Sequence, residues 1–144
     1  MILSLSLLLT IGFTAVSASP IVDPDPEIEK LFQKEFSGAE YVKWGEEAGH
    51  FSVSFVLGGQ RTKAWFSKNG ELVGSMRNLF FTQLPLNVIR SVQSRFEGSV
   101  GYDVTEVSNA DGTRYKLTLE YKKKKYRVSV LPDGNFEEAR RLKK

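Results

Sequence analysis

The segment HFSVSFVLGGQRTKAWFSKNG, from His50 to Gly70, is the most informative about the fold, because it holds two alternating apolar runs separated by a polar break. A second stretch, RYKLTLEYKKKKYRVSVLPDG from Arg114 to Gly134, repeats this pattern sixty-four positions later without a gap. Each stretch is typical of two strands joined by a hairpin and followed by a glycine turn. We therefore predict a duplicated, strand-rich unit.

Alternation within each hairpin assigns one face of the sheet to the core. In the first hairpin Phe51, Val53 and Phe55 share one face, whereas Ser52 and Ser54 share the other. The second hairpin alternates in the same way, with polar residues on its outer face. One face of the sheet is therefore expected to be buried and the other to meet water, as antiparallel sheets allow.

An amphipathic segment precedes each hairpin and predicts a helix. Asp25 is a candidate N-cap, with Pro26 at the first helical position and the helix starting near Glu27. The two apolar stripes consist of Ile28, Leu31, Phe32 and Phe36 in the first segment, and of Val88, Val92 and Phe96 in the second. Glycine ends each segment, at Gly38 and at Gly98.

The helices are offset by sixty positions and the hairpins by sixty-four, so we expect a connection four residues longer in the second unit, around Ser108 to Gly112. Asn69-Gly70 and Asp133-Gly134 are predicted to form primed hairpin turns. A last strand follows each turn. The resulting fold class is α+β, with two tandem α-β-β-β-β repeats whose helices pack on one face of antiparallel sheets.

The N-terminal segment has a different composition from the rest of the chain. Residues 1–18 combine an uncharged apolar run with small residues at Val16 and Ala18, which predicts a cleaved signal peptide. An uncleaved anchor and a misplaced start codon are the alternatives. A Pro-rich linker over 19–26 leads into repeat 1 at 27–82 and repeat 2 at 83–144, joined at Leu84-Pro85.

The chain contains no cysteine, which excludes disulfides, thiolate metal sites and cysteine nucleophiles. An exported protein of this size without disulfides fits a bacterial periplasm or secretion from bacteria. After removal of the signal, no stable membrane insertion is expected. The net charge of +3 is uneven, because residues 20–82 carry −2 and residues 83–144 carry +5.

No pattern of catalytic or metal-binding residues stands out. His50 is the only histidine, so no catalytic or metal site that needs two histidines can form within one chain. The acidic pairs Asp23/Asp25, Glu46/Glu47 and Glu137/Glu138 lack calcium-loop spacing. We therefore expect no enzyme activity, cofactor or metal. An enzyme working through two carboxylates, and a small-molecule carrier, remain the alternatives.

Lys122 to Lys125, flanked by tyrosines, is the most conspicuous charge run. Such a run can bind nucleic acid or anionic lipid. It aligns, however, with the turn Gly58-Gly59-Gln60-Arg61 of the first hairpin, so we interpret it as a solvated hairpin tip. Export further disfavours nucleic acid as a partner.

Trp65 is the strongest candidate for a binding residue. Alternation places it on the outer face, where its counterpart in the second repeat is the small Ser129. Exposed large aromatic residues are typical anchors of protein interfaces. The predicted protein-binding surface comprises Trp65, Lys63, Ser54, Lys116 and Arg127. The alternative is that a loop, the linker or a second copy covers this tryptophan.

Several short motifs, in this order, resemble those of the PepSY-like family of exported bacterial proteins, also called beta-lactamase-inhibitor-like. They are Phe36–Ala39, Val42–Trp44, Ala64–Phe66, Asn69-Gly70 and Leu84-Pro85. The resemblance covers essentially the whole mature chain and implies a tandem α+β fold like that of the beta-lactamase inhibitor proteins, with one open sheet face. It does not imply inhibition of a beta-lactamase.

The sequence thus predicts an exported, non-enzymatic binding module that acts through its open sheet face. Its partner would be a protein or peptide of the cell envelope, and inhibition or regulation of a peptidase or other envelope enzyme is one such role. The alternative is a structural or chaperone-like envelope protein that binds extended chains or forms a homodimer. Nucleic acid is not expected to bind.

Overall fold

The computed structural model describes residues 22–143, which form one eight-stranded antiparallel sheet with two helices on one side. The predicted signal peptide and the first part of the predicted linker lie outside the described residues. The sheet is an uninterrupted meander, because every strand pairs with the strands before and after it in the chain. No helix among the described residues is both long and apolar enough to cross a membrane.

The two halves of the described chain have the same order of helix and strands. The first half contains α1 (Pro26–Glu35), β1 (Glu40–Glu47), β2 (His50–Leu57), β3 (Gln60–Phe66) and β4 (Leu72–Leu79). A 3-10 turn at Phe81–Gln83 leads into the second half. That half contains α2 (Leu86–Arg95), β5 (Val100–Asn109), β6 (Gly112–Tyr121), β7 (Lys124–Val130) and β8 (Phe136–Arg141).

Strands β4 and β5 join the halves into one sheet, from the pair Gly74 and Asn109 to the pair Leu79 and Val104. The sequence indicated sheets that each belong to one repeat and gave no signal for this pairing. Arg77 and Glu106 make a two-pronged ion pair across the joint, with nitrogen–oxygen distances of 2.8 and 3.2 Å. This geometry fixes the register between the halves as well as adding charge attraction.

Helix α1 packs on the first half of the sheet, as its apolar stripe predicted. Ile28 and Phe32 are buried against Val53, Ala64 and Phe66. The helix begins as expected, because the Asp25 carboxylate accepts a hydrogen bond from the backbone N–H of Glu27 at 2.9 Å. Aromatic rings fill much of this core; Phe32 alone contacts the rings of Phe36, Trp44, Phe55 and Phe66.

Helix α2 packs on the second half in the same manner. Val88 and Val92 are buried against the inner faces of β6 and β7, and Phe96 closes the end of this core. Most of the buried strand residues are aliphatic here, namely Val104, Leu117, Leu119, Val128 and Val130, and Tyr115 is the aromatic one. Both helices therefore cover the same face of the sheet, and within the part of the chain that the structure describes the opposite face has no second layer.

The sequence suggested that the four-residue length difference between the halves lies in a longer connection, and this prediction is wrong. Strands β1 and β2 have 8 residues each and are joined by a two-residue turn, because Glu47 pairs with His50. Strands β5 and β6 have 10 residues each, and Asn109 pairs with Gly112 across an equally short turn. Two residues were therefore added to each paired strand, which keeps their alternation unchanged.

The predicted primed turns at Asn69-Gly70 and Asp133-Gly134 are wrong. Only the glycine has a positive φ in each, +86° and +93°, and the Ser67 and Leu131 carbonyls accept from these glycines at 3.0 and 2.9 Å. These are type I turns followed by a glycine bulge, which also shifts the register of the pairing strands. An aspartate or asparagine before glycine fits both turn types, so the dipeptide could not decide between them.

Primed geometry occurs instead at the hairpin tips. Gly58 and Gly59 both have positive φ, at 56° and 78°, as do Lys122 and Lys123, at 49° and 61°. These pairs of left-handed residues match the right-handed twist of the flanking strands. The second tip thus places two lysines in a backbone conformation that favours glycine.

Candidate functional site

The sheet face opposite the two helices has no second layer among residues 22–143. We call it the open face. Cross-strand pairs define its central row, in which Lys43 lies opposite Ser54, Ser54 opposite Lys63, and Lys63 opposite Met76. The row continues through Val107. The row is thus polar or charged on β1 to β3 and apolar on β4 and β5.

Trp65 lies on the open face, as predicted, but its side chain is half-buried instead of exposed. Its indole Nε1 donates a hydrogen bond to the Glu47 carboxylate at 2.9 Å. Lys63 makes an ion pair with the other oxygen of Glu47 and lies 5.4 Å from the centre of the Trp65 ring. Glu47 on strand β1 therefore partly covers Trp65, a contact that the sequence could not identify.

Glu47 is the electrostatic centre of this cluster. Hydrogen bonds from Lys63 and then from Trp65 lower the pKa of the Glu47 carboxyl below its ordinary value. Burial opposes this shift only in part. The carboxylate therefore stays ionised in mildly acidic solution and holds the tryptophan ring in place.

The other predicted residues share the open face but do not converge on Trp65. Ser54 is exposed beside Lys63. Lys116 pairs with Thr105 and lies on β6, three strands away from β3 and so about 14 Å from it. Arg127 lies on β7 opposite Thr118. The predicted surface is thus spread over both halves, with one cluster around Trp65 and separate cations on β6 and β7.

A groove of about 540 Å³ runs over β1 to β4 on the open face. Its lining includes Ser54 and Lys63 together with three residues that sequence reasoning missed, namely Tyr41, Arg61 and Met76. Tyr41 is 78% exposed and has a φ of 54° at a bulge in β1. Alternation from Trp44 could have placed Tyr41 outward; the bulge that exposes it gives no clear sequence signal.

A second groove of about 380 Å³ adjoins the first, because Asn78 lines both. Phe80 lies in its wall and is 70% exposed, directly after β4 ends. Tyr102 and Asp103 face the same groove from β5. Asp103 occupies a bulge like that of Tyr41, with a φ of 51°. Two exposed aromatic side chains, Tyr41 and Phe80, thus lie at these two adjoining grooves.

Cations outnumber acids along the open face. Lys43, Arg61, Lys116 and Arg127 have no carboxylate within 4.0 Å among residues 22–143. The cations that do pair are satisfied by neighbours on β1 and β8, as Lys63 is by Glu47 and Arg140 by Glu138. Unmatched positive charge of this kind attracts acidic groups of a partner at moderate ionic strength.

The described residues contain no group of three or more histidine, aspartate and glutamate side chains placed to hold a metal ion. His50 begins β2, and its Nδ1 lies 3.1 Å from the Ala48 carbonyl oxygen, so the ring is used in the β1–β2 turn. Each of Glu46, Glu137 and Glu138 pairs with a neighbouring cation. These three carboxylates are therefore engaged in ion pairs with neighbouring side chains.

Solved structures of similar fold come from Bacteroides. A BLIP-like protein from Bacteroides fragilis has a TM-score of 0.72 at 20% identity, over 85% of this chain and 89% of that one. A DUF2874 family protein from Bacteroides ovatus has a TM-score of 0.70 at 21% identity, over 83% and 89%. A protein with a predicted periplasmic assignment, from Bacteroides eggerthii, has a TM-score of 0.69 at 17% identity, over 84% and 91%.

These similarities confirm a BLIP-like fold, the coarse part of the fold prediction. No protein-family model matches the sequence, and no curated protein matches it either. The name PepSY-like therefore stays a prediction. At this level of identity the structural likeness establishes the fold alone, so function has to be argued from the surface of this chain.

Proposed function

We propose that this protein is an exported, non-enzymatic binding module that engages a protein or peptide of the cell envelope through its open face. The observation that carries the proposal is the uncovered sheet face itself, with Tyr41 and Phe80 exposed beside two adjoining grooves. Aromatic side chains at a concave surface supply most of the binding energy in many interfaces.

The grooves favour a protein partner over a small molecule. Both are open depressions on a sheet rather than enclosed cavities, and a drug-sized ligand is usually buried over most of its surface. Lys43 and Arg61 supply charge at the edge of the first groove, which suits the polar rim of a protein interface. Inhibition or regulation of an envelope enzyme is the role that this binding would serve.

Site-specific photo-crosslinking tests the proposal. A photoreactive amino acid at Asn78, which lines both grooves, should capture a discrete envelope protein from cell extract. The same amino acid at Ser94, exposed on α2, is the matched control and should capture nothing comparable. Tyr41→Ala and Trp65→Ala in the Asn78 background should each reduce the yield at least tenfold, as expected for loss of an interface anchor.

Equal capture from the open face and from the helix layer would overturn the proposal. Capture of a second copy of this chain through Asn78 would instead support the self-associating alternative, and sedimentation at several concentrations would measure it. Folding of every variant is checked by circular dichroism, because loss of capture by an unfolded protein says nothing about the face.

We further propose that residues 1–18 are a signal peptide followed by a linker, and that residues 27–82 and 83–144 descend from one duplicated unit. The matching order of helix and four strands in the two halves supports duplication. The N-terminal sequence of the exported protein would test the cleavage site. A mature chain that still begins at Met1 would refute the signal peptide.

A further inference from the structure

The strongest unassigned feature is a basic cleft at the tip of the β6–β7 hairpin. Its lining consists of Lys123, Lys124, Lys125, Arg141, Leu142 and Lys143, and its volume is about 490 Å³. Five of these six residues are cations and none carries a carboxylate. The cleft lies apart from the two grooves of the open face, with which it shares no lining residue.

The sheet topology assembles this cleft from two distant parts of the sequence. Strand β8 runs antiparallel to β7, so its end returns to the start of β7, where Arg141 pairs with Tyr126. The Leu142 N–H then donates to the Lys125 carbonyl at 2.8 Å. This bond holds the C-terminal cations beside the lysine run, which the sequence alone presented as an isolated tip.

The lysines are kept at a conformational cost. Lys122 and Lys123 both adopt a left-handed backbone, which Gly58 and Gly59 adopt without strain at the equivalent tip of the first hairpin. Folding alone would favour glycine at the second tip as well. Lysine is strained in this backbone conformation and glycine would serve the fold better, so its presence here indicates a role in binding.

Acidic groups of the protein neutralise little of the positive charge of the basic cleft. None of the five cations of the basic cleft has a carboxylate within 4.0 Å among the described residues. Glu120, which pairs with Lys125 in the sheet ladder, and Asp103 are the acids close enough to act on the Lys125 charge. The cleft therefore presents concentrated positive charge on exposed side chains at the hairpin tip.

We propose that the basic cleft binds the phosphate-bearing surface of an anionic membrane, so that the protein attaches peripherally by its hairpin tip. Clusters of four to eight lysines and arginines are typical of such attachment, and each cation strengthens it about fivefold. Leu142 is half-buried in the middle of the cleft and adds an apolar contact. Lys123, Lys124 and Lys125 are all exposed, so they can contact a flat surface without rearrangement of the sheet.

The neighbouring aromatic rings favour a membrane over single-stranded nucleic acid. Sequence-tolerant binding of nucleic acid needs free ring faces on which bases stack. Here the Lys122 Nζ lies over the Tyr121 ring at 4.9 Å from its centre, and the Lys125 Nζ over Tyr102 at 5.8 Å. Lysines thus occupy one face of each ring, while tyrosine itself suits the interface between lipid and water.

Vesicle co-sedimentation tests this proposal on the full mature chain. We expect binding to phosphatidylcholine vesicles that contain about 30% phosphatidylglycerol, and little binding to pure phosphatidylcholine. Roughly 0.5 M salt should release the protein, because the screening length then falls below about 5 Å. Lys123→Gln with Lys124→Gln should weaken binding about tenfold or more, and Lys143→Gln alone should weaken it severalfold.

The matched control removes two cations from the helix layer, Lys34→Gln with Arg90→Gln, and should leave vesicle binding within about twofold. Equal weakening by the control and the tip variant would reduce the effect to net charge and overturn the proposal. Tip-dependent binding of a single-stranded oligonucleotide without binding to anionic vesicles would also overturn it. Crosslinking through the open face is unaffected by either result, so the two proposals fail separately.

Discussion

Replacing the left-handed lysines of the second hairpin with glycine should stabilise the fold. Lys122→Gly with Lys123→Gly gives this tip the sequence of Gly58-Gly59, which has the same backbone geometry. A left-handed backbone costs a non-glycine residue about 1–2 kcal/mol. Each glycine also makes the unfolded chain more flexible, which offsets about 0.4–1 kcal/mol of this gain.

The lysines also make one contact that the substitution removes. Lys122 lies over the Tyr121 ring, and an exposed cation–ring contact of this kind contributes about 0.5 kcal/mol. The net expectation is a free energy of unfolding raised by about 1 kcal/mol, which corresponds to a melting temperature about 3–5 °C higher for a chain of this size. Urea denaturation followed by tryptophan fluorescence measures it directly.

Removal of charge has to be separated from relief of the backbone. Lys122→Gln with Lys123→Gln removes the same two charges and keeps the left-handed strain, so it serves as the control. The glycine variant should exceed this control by about 1 kcal/mol. If the two variants unfold at the same urea concentration, the strain argument is refuted, and with it the inference that lysine is retained there for binding.

Three further predictions concern other parts of the molecule. Gly134→Ala should cost about 2 kcal/mol or more, because its φ is +93° and an added Cβ would lie 2.8 Å from the Asn87 carbonyl oxygen of α2; Gly98→Ala, with a φ of +76° and open space, should cost about 1 kcal/mol in the same urea assay. Phe66→Ala should cost about 3–5 kcal/mol by urea denaturation, since Phe66 is fully buried in the α1 core. The hydrogen bonds from Lys63 and Trp65 lower the pKa of Glu47 in the folded protein, so Glu47 stabilises the fold fully above the ordinary glutamate pKa. This stabilisation is lost as the pH falls through the lowered pKa of the folded state; tryptophan fluorescence should show the transition in the native protein and lack it in Glu47→Gln.

Sequence periodicity predicted the layers of this fold well but not the way its halves meet. The stripe of Ile28 and Phe32 and the alternation of Val53 and Phe55 identify the buried face, because burial itself imposes those periods. The β4–β5 pairing depends on residues some thirty positions apart, such as Arg77 and Glu106. No local pattern encodes a contact of that range.

The limits for the candidate site have the same origin. Alternation placed Trp65 on the correct face, but its exposure depends on Glu47, which reaches it from the edge strand β1 across β2. Alternation cannot show the bulge that presents Tyr41, since a bulge is the point at which alternation fails. The basic cleft needs Lys143 beside the hairpin tip, and this follows from the course of β8 rather than from the lysine run.

Comparison of the two halves separates what the fold requires from what it leaves free. Equivalent positions in the cores stay apolar, as Phe55 and Leu119 do, and both glycine bulges are kept. The large differences fall elsewhere, since Trp65 on the open face has Ser129 as its counterpart, and Gly58 at a tip has Lys122. Because one scaffold tolerates either residue at these places, folding does not explain the choice. Trp65 and Lys122 therefore mark the open face and the hairpin tip as separate surfaces, the first proposed to bind a protein partner and the second proposed to bind an anionic membrane.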